Sequence, residues 1–286
     1  MDSRAAAELA CILEATARKP GNAFLGRDLD GLTCLQLLRS AVAVGPVIAE
    51  VRKLGIGKTI HEAVLATRQV VDTNTNLGIL LLLVPLAYAA DSGLELDRLA
   101  DVLNSLDVSA TADVYEAIRA ARPGGMKKVA EQDLADTPTL GLVDVMRLAE
   151  DRDMIACQYA RGFADVREVG IPALLEPLAA GRSLEESICL CHLTWMARFP
   201  DSLIARKSGS TEARLAAKMA GDLLAVLKQR KDFMRDAELL QLDRWLTENG
   251  MARNPGTSAD LVTACLFWGL RTSAIDMNKV RFGQRD

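Results

Sequence analysis

The sequence predicts an all-α fold: a single compact domain of about ten to fourteen helices that spans residues 1–286. Half of the 286 residues are apolar and only 4% are aromatic, with Ala and Leu abundant, which is typical of packed helices. Apolar residues recur at three- and four-residue spacing, and no segment alternates convincingly as a strand would. No Pro- or Ser-rich linker and no internal repeat divides the chain, so we expect one domain.

Glycines and prolines separate the helical segments in order along the chain. The breaks are Lys19-Pro20-Gly21, Gly55-Ile56-Gly57, Ala90 to Gly93, Arg122 to Gly125, Gly170-Ile171-Pro172, Phe199-Pro200 and Asn254-Pro255-Gly256. Two helix starts have a capping pair, Ser183 with Glu186 and Thr257 with Asp260. The most apolar stretch, Leu77 to Ala90, is shorter than the roughly 20 residues that span a membrane. It is predicted to be a buried core helix.

Charge and cysteine usage narrow the functional classes. A net charge of −4 leaves no excess of Lys and Arg to grip nucleic acid or an anionic membrane, so we expect small-molecule partners only. The six cysteines lie mostly in apolar helical patterns, and a chain of this size needs no disulfide staples. The first residues carry no basic region followed by an apolar run. These features predict reduced, buried thiols and a cytoplasmic protein.

Two short motifs suggest sites that the surrounding sequence does not support. Gly55 to Thr59 ends in Gly-Lys-Thr, but a phosphate-binding loop would need Gly at Arg52 and a strand before it, so a helix-to-helix turn is the better interpretation. Cys189-Leu190-Cys191-His192 has metal-ligand spacing, yet a closed zinc site needs four ligands. Residues two apart also point to different sides of a helix, which favours ordinary core thiols.

The segment from Asp72 to Gly78 is the strongest candidate site. Five short polar residues, Asp72-Thr73-Asn74-Thr75-Asn76, stand directly before the most apolar helix, and a glycine follows where a ligand could approach closely. One such residue would suffice as an N-cap. Five in succession favour a polar site at a helix N-terminus, where N–H groups and the helix dipole attract phosphate.

Three other polar segments are weaker candidates. Asp201 to Ser210 pairs an acid with Arg206 and Lys207, which could hold a polyphosphate, although a solvated loop explains the segment equally well. Asn254 to Asp260 presents a second polar helix start. Arg122 to Lys128 has the composition of a phosphate loop without its order, which favours a charged turn.

Taken together, four motifs in the same order and approximate spacing resemble the triphosphoribosyl-dephospho-CoA synthase family over nearly the whole chain. They are Lys19-Pro20-Gly21, Thr73 to Gly78, Asp201 to Gly209 and Pro255 to Leu261. Members of that family are all-α. They split the N-glycosidic bond of ATP, release adenine and join the triphosphoribosyl group by an α-linkage to 3′-dephospho-CoA.

The resemblance implies an ATP-consuming pentosyl transferase and a set of site residues. The catalytic candidates are Asp72, Asn74, Asn76 and Asp201. The residues expected to bind ATP are Lys19, Gly21, Thr73, Thr75, Gly78, Arg206, Lys207, Gly209 and Ser258. Asp153 and Asp260 are the candidates for binding Mg²⁺. ATP and an alcohol acceptor are the expected partners, and a homodimer is the assembly to test.

The chain also departs from the family pattern. The family's Thr-Asn-Thr-His-Lys-Gly is Thr73 to Gly78 here, with Asn76 and Leu77 in place of His and Lys, and the family's Asp-Thr-Asn is Asp201-Ser202-Leu203. The chain is similar to a divergent branch associated with tetrahydromethanopterin-dependent one-carbon metabolism. An α-phosphoribosyl transfer to a ribitol-bearing precursor is therefore an alternative. A helical nucleotide-binding protein without catalysis is the alternative of another class.

Overall fold

Fifteen α-helices make up most of the computed structural model, which describes residues 1–124 and 131–283. Their bounds are α1 Ser3–Thr16, α2 Cys34–Ile48, α3 Val51–Leu54, α4 Ile56–Val70, α5 Leu77–Asp91, α6 Leu99–Asn104, α7 Val108–Ala121, α8 Leu142–Arg147, α9 Met154–Ala160, α10 Ile171–Ala179, α11 Leu184–Arg198, α12 Ser202–Ser208, α13 Ser210–Leu227, α14 Ala237–Thr247 and α15 Gly256–Arg271. The all-α prediction is confirmed, with one helix more than the upper end of the expected range. Within the described residues the only bridge pairs are Phe24 with Arg27 and Leu29 with Leu32.

The capping predictions had different outcomes at the two helix starts. Ser183 and Glu186 form the expected capping box on α11. The pair Thr257 and Asp260 does not cap α15, because that helix begins at Gly256 and both residues lie inside it. The side chain of Asp201, on a different segment, accepts the Ser258 N–H instead. The predicted cap was wrong because a distant residue satisfies the donor.

The Gly55 segment is the predicted turn between two helices. Gly55 has φ +79 and ends α3, and α4 begins at the next residue. Gly57 faces the backbone of α7, where an added Cβ would lie 2.7 Å from the Ala110 carbonyl oxygen. The glycine therefore lets α4 and α7 pack closely.

Two hydrophobic clusters hold the helices together. The larger includes residues of α1, α2, α4, α5, α7, α11 and α15, and α5 lies deep within it, as predicted for this apolar stretch. The smaller joins α11, α12, α13 and α14. Cys191 belongs to the larger cluster and Cys189 to the smaller, which confirms that they face different sides of α11. All six cysteines are buried and free.

None of the described helices alone is long and apolar enough to cross a membrane. The pair formed by α5 and the segment Leu96–Asn104 meets the composition requirement together, but its two parts are bent by 114°.

Candidate functional site

A cleft of about 980 Å³ opens where the N-termini of several helices converge. Much of its polar lining comes from α1, from the segment before α5, and from the starts of α9 and α15 together with α12. The polar side chains include Glu14, Asn22, Thr73, Asn74, Thr75, Asn76, Asp153, Arg206, Lys207, Asn254 and Asp260. Its volume suits a nucleotide-sized ligand, since small-molecule sites occupy about 300–1,000 Å³.

The segment before α5 presents several unused polar groups to the cleft. Asn74 Oδ1 accepts the Leu77 N–H at 3.1 Å, which leaves the side-chain NH₂ of Asn74 for a ligand. Asn76 is the buried N-cap and donates to Thr67 Oγ1 at 3.0 Å, but its side chain caps no N–H of α5. Thr75 is held by Ser40, with their hydroxyl oxygens 2.5 Å apart. These hydrogen bonds fix the position of the segment, and the Asn76 side chain does not cap the N-terminus of α5.

Gly78 allows a carboxylate to lie against α5. An added Cβ at this position would stand 2.0 Å from Asp260 Oδ2 and 2.7 Å from Ile155 Cδ1. No hydrogen bond or ion pair to Asp260 is found within the described residues. Burial and the nearby negative charges of Glu14, Asp201 and Asp153 raise the pKa of the Asp260 carboxyl well above its usual value.

Asp153 and Arg206 form the second charged contact of the cleft. Asp153 Oδ1 caps α9 by accepting the Ile155 and Ala156 N–H groups, while Oδ2 lies 3.4 Å from Arg206 Nη1. Arg206 Nε is buried, and no described residue is its hydrogen-bond partner. The neighbouring Lys207 is exposed, and partial desolvation together with the charge of Arg206 lowers its pKa. Lys207 Nζ donates to the Met251 carbonyl at 3.2 Å, and both cationic side chains line the cleft.

Asp201 is placed differently from the sequence expectation, because it is buried and does not line the cleft. Its Oδ1 accepts the Leu203 and Ile204 N–H groups, and its Oδ2 accepts both the N–H and the hydroxyl of Ser258 at 2.7 and 2.8 Å. Burial nonetheless raises the pKa of Asp201. One carboxylate therefore caps α12 and α15 together, and Ser258 is its partner.

Ser258, the partner of Asp201, and four other expected site residues also lie outside the cleft lining. Lys19 is fully buried and ion-paired with Glu14 at 3.0 Å. Gly21 has φ +80, donates its N–H to Asp243 and accepts from Asn254, so it shapes the turn after α1. Gly209 forms the turn between α12 and α13, and Asp72 is exposed. Lys127 and Lys128 of the expected charged turn are outside the described residues, whereas Arg122 and Gly124 line the cleft.

The structure adds Glu14, a residue that sequence reasoning missed. It lies on the buried face of α1 and reaches the cleft. Asn22, in the polar loop after Pro20, also lines the cleft, and its buried Oδ1 has no hydrogen-bond partner among the described residues. The signal that could have revealed Glu14 is a charged residue at a position where the helical period of α1 demands an apolar one.

Apolar side chains form a further part of the lining, which we call the apolar patch. They come from α7 and α8: Val114, Ile118, Leu142, Val145 and Met146. Such a surface suits a flat base or an aliphatic arm beside the charged groups.

The carboxylates of the cleft could hold a metal only with help from a ligand. Within the described residues no group of three or more His, Cys, Asp or Glu side chains is arranged to bind an ion. Asp153 and Asp260 both line the cleft. Mg²⁺ commonly binds through one or two carboxylates together with substrate phosphates, and these two residues fit that pattern.

A protein family described as CitG, ATP:dephospho-CoA triphosphoribosyl transferase, matches residues 2–279. No curated protein and no solved structure matched the chain.

Proposed function

Because the chain belongs to the ATP:dephospho-CoA triphosphoribosyl transferase family, we propose that its cleft transfers the 5-triphosphoribosyl group of ATP to an alcohol and releases adenine. Membership makes the chain a transferase that uses ATP. The observation that carries the assignment of the site is the convergence of Arg206, Lys207 and the start of α5 with the carboxylates of Asp153 and Asp260 in one cleft.

In this proposal the triphosphate binds at the cationic corner, which we define as the part of the cleft lined by Arg206 and Lys207. Arg206 offers an unpartnered Nε, and Lys207 adds a second positive charge. The first turn of α5 lines the cleft with no side-chain cap from Asn76, so its N–H groups and dipole favour an anion. Mg²⁺ would be held by Asp153 and Asp260 with phosphate oxygens, where it would neutralise negative charge. Asn74 and Asn76 orient the nucleotide.

The chemistry requires a carboxylate, an acid and a base around the sugar. Breaking the bond between ribose C1′ and adenine N9 builds positive charge on the sugar, and the electron pair leaves with adenine. An acid protonates the departing base, and a base removes the proton of the acceptor hydroxyl. Conversion of the β-nucleoside into an α-product is a net inversion, which a single displacement provides.

The acceptor proposed first is 3′-dephospho-CoA, the acceptor in the family description. The apolar patch beside the charged corner offers a surface for its aliphatic arm. A specific observation favours a second candidate, because Leu77 is buried and lines the cleft at the position where the resembling motif has Lys. Loss of that cation changes what the acceptor contacts. A ribitol-bearing precursor of a tetrahydromethanopterin-type coenzyme is therefore the alternative, and the cytoplasm is the expected location of either reaction.

Adenine release tests the proposal directly. The protein is incubated with ATP and Mg²⁺, alone and with dephospho-CoA or the ribitol-bearing precursor, and adenine is measured by chromatography. Adenine formed only with one acceptor supports transfer and identifies the acceptor. Adenine and free triphosphoribose formed without an acceptor would indicate hydrolysis instead, and no adenine with either acceptor from protein that binds ATP would contradict the proposal.

A pair of asparagine variants ties the activity to the cleft. Asn74→Ala should abolish turnover and leave the fold intact, because Asn74 is exposed at the cleft. Asn104→Ala, an exposed residue outside the cleft lining, is the matched control and should keep full activity. A folded and active Asn74→Ala variant would overturn the role given to Asn74.

A further inference from the structure

Glu14 is a carboxylate that α1 carries into the cleft from a buried position. Its side chain has a relative exposure of 6%, and its neighbours on the same helix face are the core residues Ala7, Ala10 and Cys11. A buried carboxylate without a partner costs several kcal/mol. Glu14 therefore occupies a position that a buried helix face usually fills with an apolar residue.

Lys19 is the partner of Glu14, and all of its donors are used. Its ammonium group lies 3.0 Å from Glu14 Oε1, donates to the Glu14 carbonyl, and donates to the Ala17 carbonyl at 3.2 Å. The side chain is fully buried and does not line the cleft. Lys19 consequently has no donor left for a phosphate, and its effect on a ligand passes through Glu14.

Glu14 differs from the other carboxylates near the cleft. Both oxygens of Asp201 accept hydrogen bonds from helix starts, and those of Asp153 face a helix start and Arg206. Asp260 has no cationic partner among the described residues. Among these four carboxylates, only Glu14 combines a buried cation on Oε1 with an Oε2 that accepts no hydrogen bond in the described structure.

We infer that Glu14, positioned by Lys19, is the carboxylate that faces the positive charge on the ribose as the bond to adenine breaks. The inference rests on the proposed function and adds to it a residue and a substrate contact. Glu14 forms no covalent bond, because an inverting displacement passes directly from the C1′–N9 bond to the new C1′–O bond. Its contribution is electrostatic, made by a charge oriented before the reaction begins.

The first test separates charge stabilisation from folding. Glu14→Gln should lower kcat for adenine release by about 100-fold or more, as the loss of a preorganised electrostatic partner does, while the Kd for ATP without acceptor changes less than about threefold. Glu8→Gln is the matched control, since Glu8 lies on the same helix and pairs with Arg4. A Glu14→Gln variant with kcat within threefold of the wild type would overturn the inference.

The second test uses two triphosphate analogues and needs no turnover. One has a ribose ring with a protonated ring nitrogen, and the other has a neutral tetrahydrofuran ring of the same shape. The wild type should bind the cationic analogue at least tenfold more tightly, and Glu14→Gln should lose that preference. An unchanged preference would refute the contact. This test stands even if the wild type releases no adenine with any acceptor, an outcome that would remove the proposed reaction and not the charge contact.

Lys19 is tested as a positioning residue. Lys19→Met leaves Glu14 buried and unpaired, so it is combined with Glu14→Gln to give a protein with neither charge. The double variant should fold and match the kcat and analogue binding of Glu14→Gln alone, because Lys19 acts through Glu14. A further tenfold loss of ATP affinity in the double variant would instead show that Lys19 acts on the triphosphate directly.

Discussion

Gly78 shows how one missing side chain can place a functional group. Gly78→Ala would put a methyl group 2.0 Å from Asp260 Oδ2, so we expect the carboxylate to move and kcat to fall by at least about tenfold. Stability should change little, because Ala is the better helix former. Adenine release and urea denaturation measure the two effects.

Two comparisons make the Gly78 prediction specific. Gly221→Ala on α13 is the matched control, since its added Cβ would meet only Ala197 at 3.6 Å, an ordinary contact. In an Asp260→Ala background the Gly78→Ala change should cost less activity than in the wild type, because the closest clashing group is absent and only the 2.7 Å approach to Ile155 Cδ1 remains. Additive losses in the double variant would show that Gly78 acts through another neighbour.

His192 makes a second prediction at the level of one residue. It is fully buried, its Nε2 lies 3.2 Å from the Pro20 carbonyl, and burial followed by the charge of Lys19 lowers its pKa to about 3. Below pH 6.5 the unfolded chain binds a proton that the folded chain does not, so folding stability falls as the pH falls. Relative to His192→Gln, the wild type should lose about 2 kcal/mol of unfolding free energy between pH 6.5 and pH 5.

Urea denaturation at several pH values checks the His192 prediction. His61→Gln, which removes the other histidine, should keep the acid sensitivity of the wild type. Parallel stability curves for the wild type and His192→Gln would show that His192 takes up its proton in the folded state.

At the scale of helices, Asp201 stabilises two helices at once, because its carboxylate caps both α12 and α15. Each cap is worth about 1–2 kcal/mol, so Asp201→Ala should lower the unfolding free energy by about 2–4 kcal/mol. Asp107→Ala is the matched control, because Asp107 is exposed and caps α7 alone through Ala110 N–H at 3.1 Å. It should cost about 1 kcal/mol. Equal losses in urea denaturation would contradict the double cap.

The helices were predictable from sequence because their pattern is local. Three- and four-residue spacing marks an apolar face wherever it occurs, and the polar run before Leu77 marks the start of α5. The hydrogen bond from the Ser258 N–H to Asp201 Oδ2 joins residues 57 positions apart, and no spacing rule predicts it. Glu14 was missed because the sequence shows one charged residue in an apolar helix but does not show the cleft that gives it a role, which is lined by residues from many other segments.

At the scale of the whole molecule, the cleft draws on both hydrophobic clusters. Arg206 and Lys207 belong to α12, whose Ile204 packs in the smaller cluster, while α5 and α15 belong to the larger. ATP bound at the cationic corner would contact both. At 100 times its Kd it should stabilise the fold by about 2.7 kcal/mol, measurable as a rise in Tm.

The size of that rise should depend on Arg206. Arg206→Gln removes a charge-assisted donor worth about 1.5–3 kcal/mol, which weakens ATP about 10- to 100-fold. At the same ATP concentration the stabilisation should therefore fall from about 2.7 kcal/mol to between about 0.4 and 1.4 kcal/mol, with a correspondingly smaller rise in Tm. Lys218→Gln, an exposed change on α13, should leave it intact. An undiminished rise in Tm for Arg206→Gln would show that the triphosphate does not bind at α12.

The shared cap also links the timing of two motions. The N–H groups of Leu203, Ile204 and Ser258 are all held by Asp201, so none becomes free for exchange with solvent deuterium until that carboxylate releases its helices. Their exchange should proceed with one common opening free energy, although they lie on two helices. The start of α12, the helix that carries Arg206, and the start of α15, the helix that carries Asp260, should then open and close as one cooperative unit.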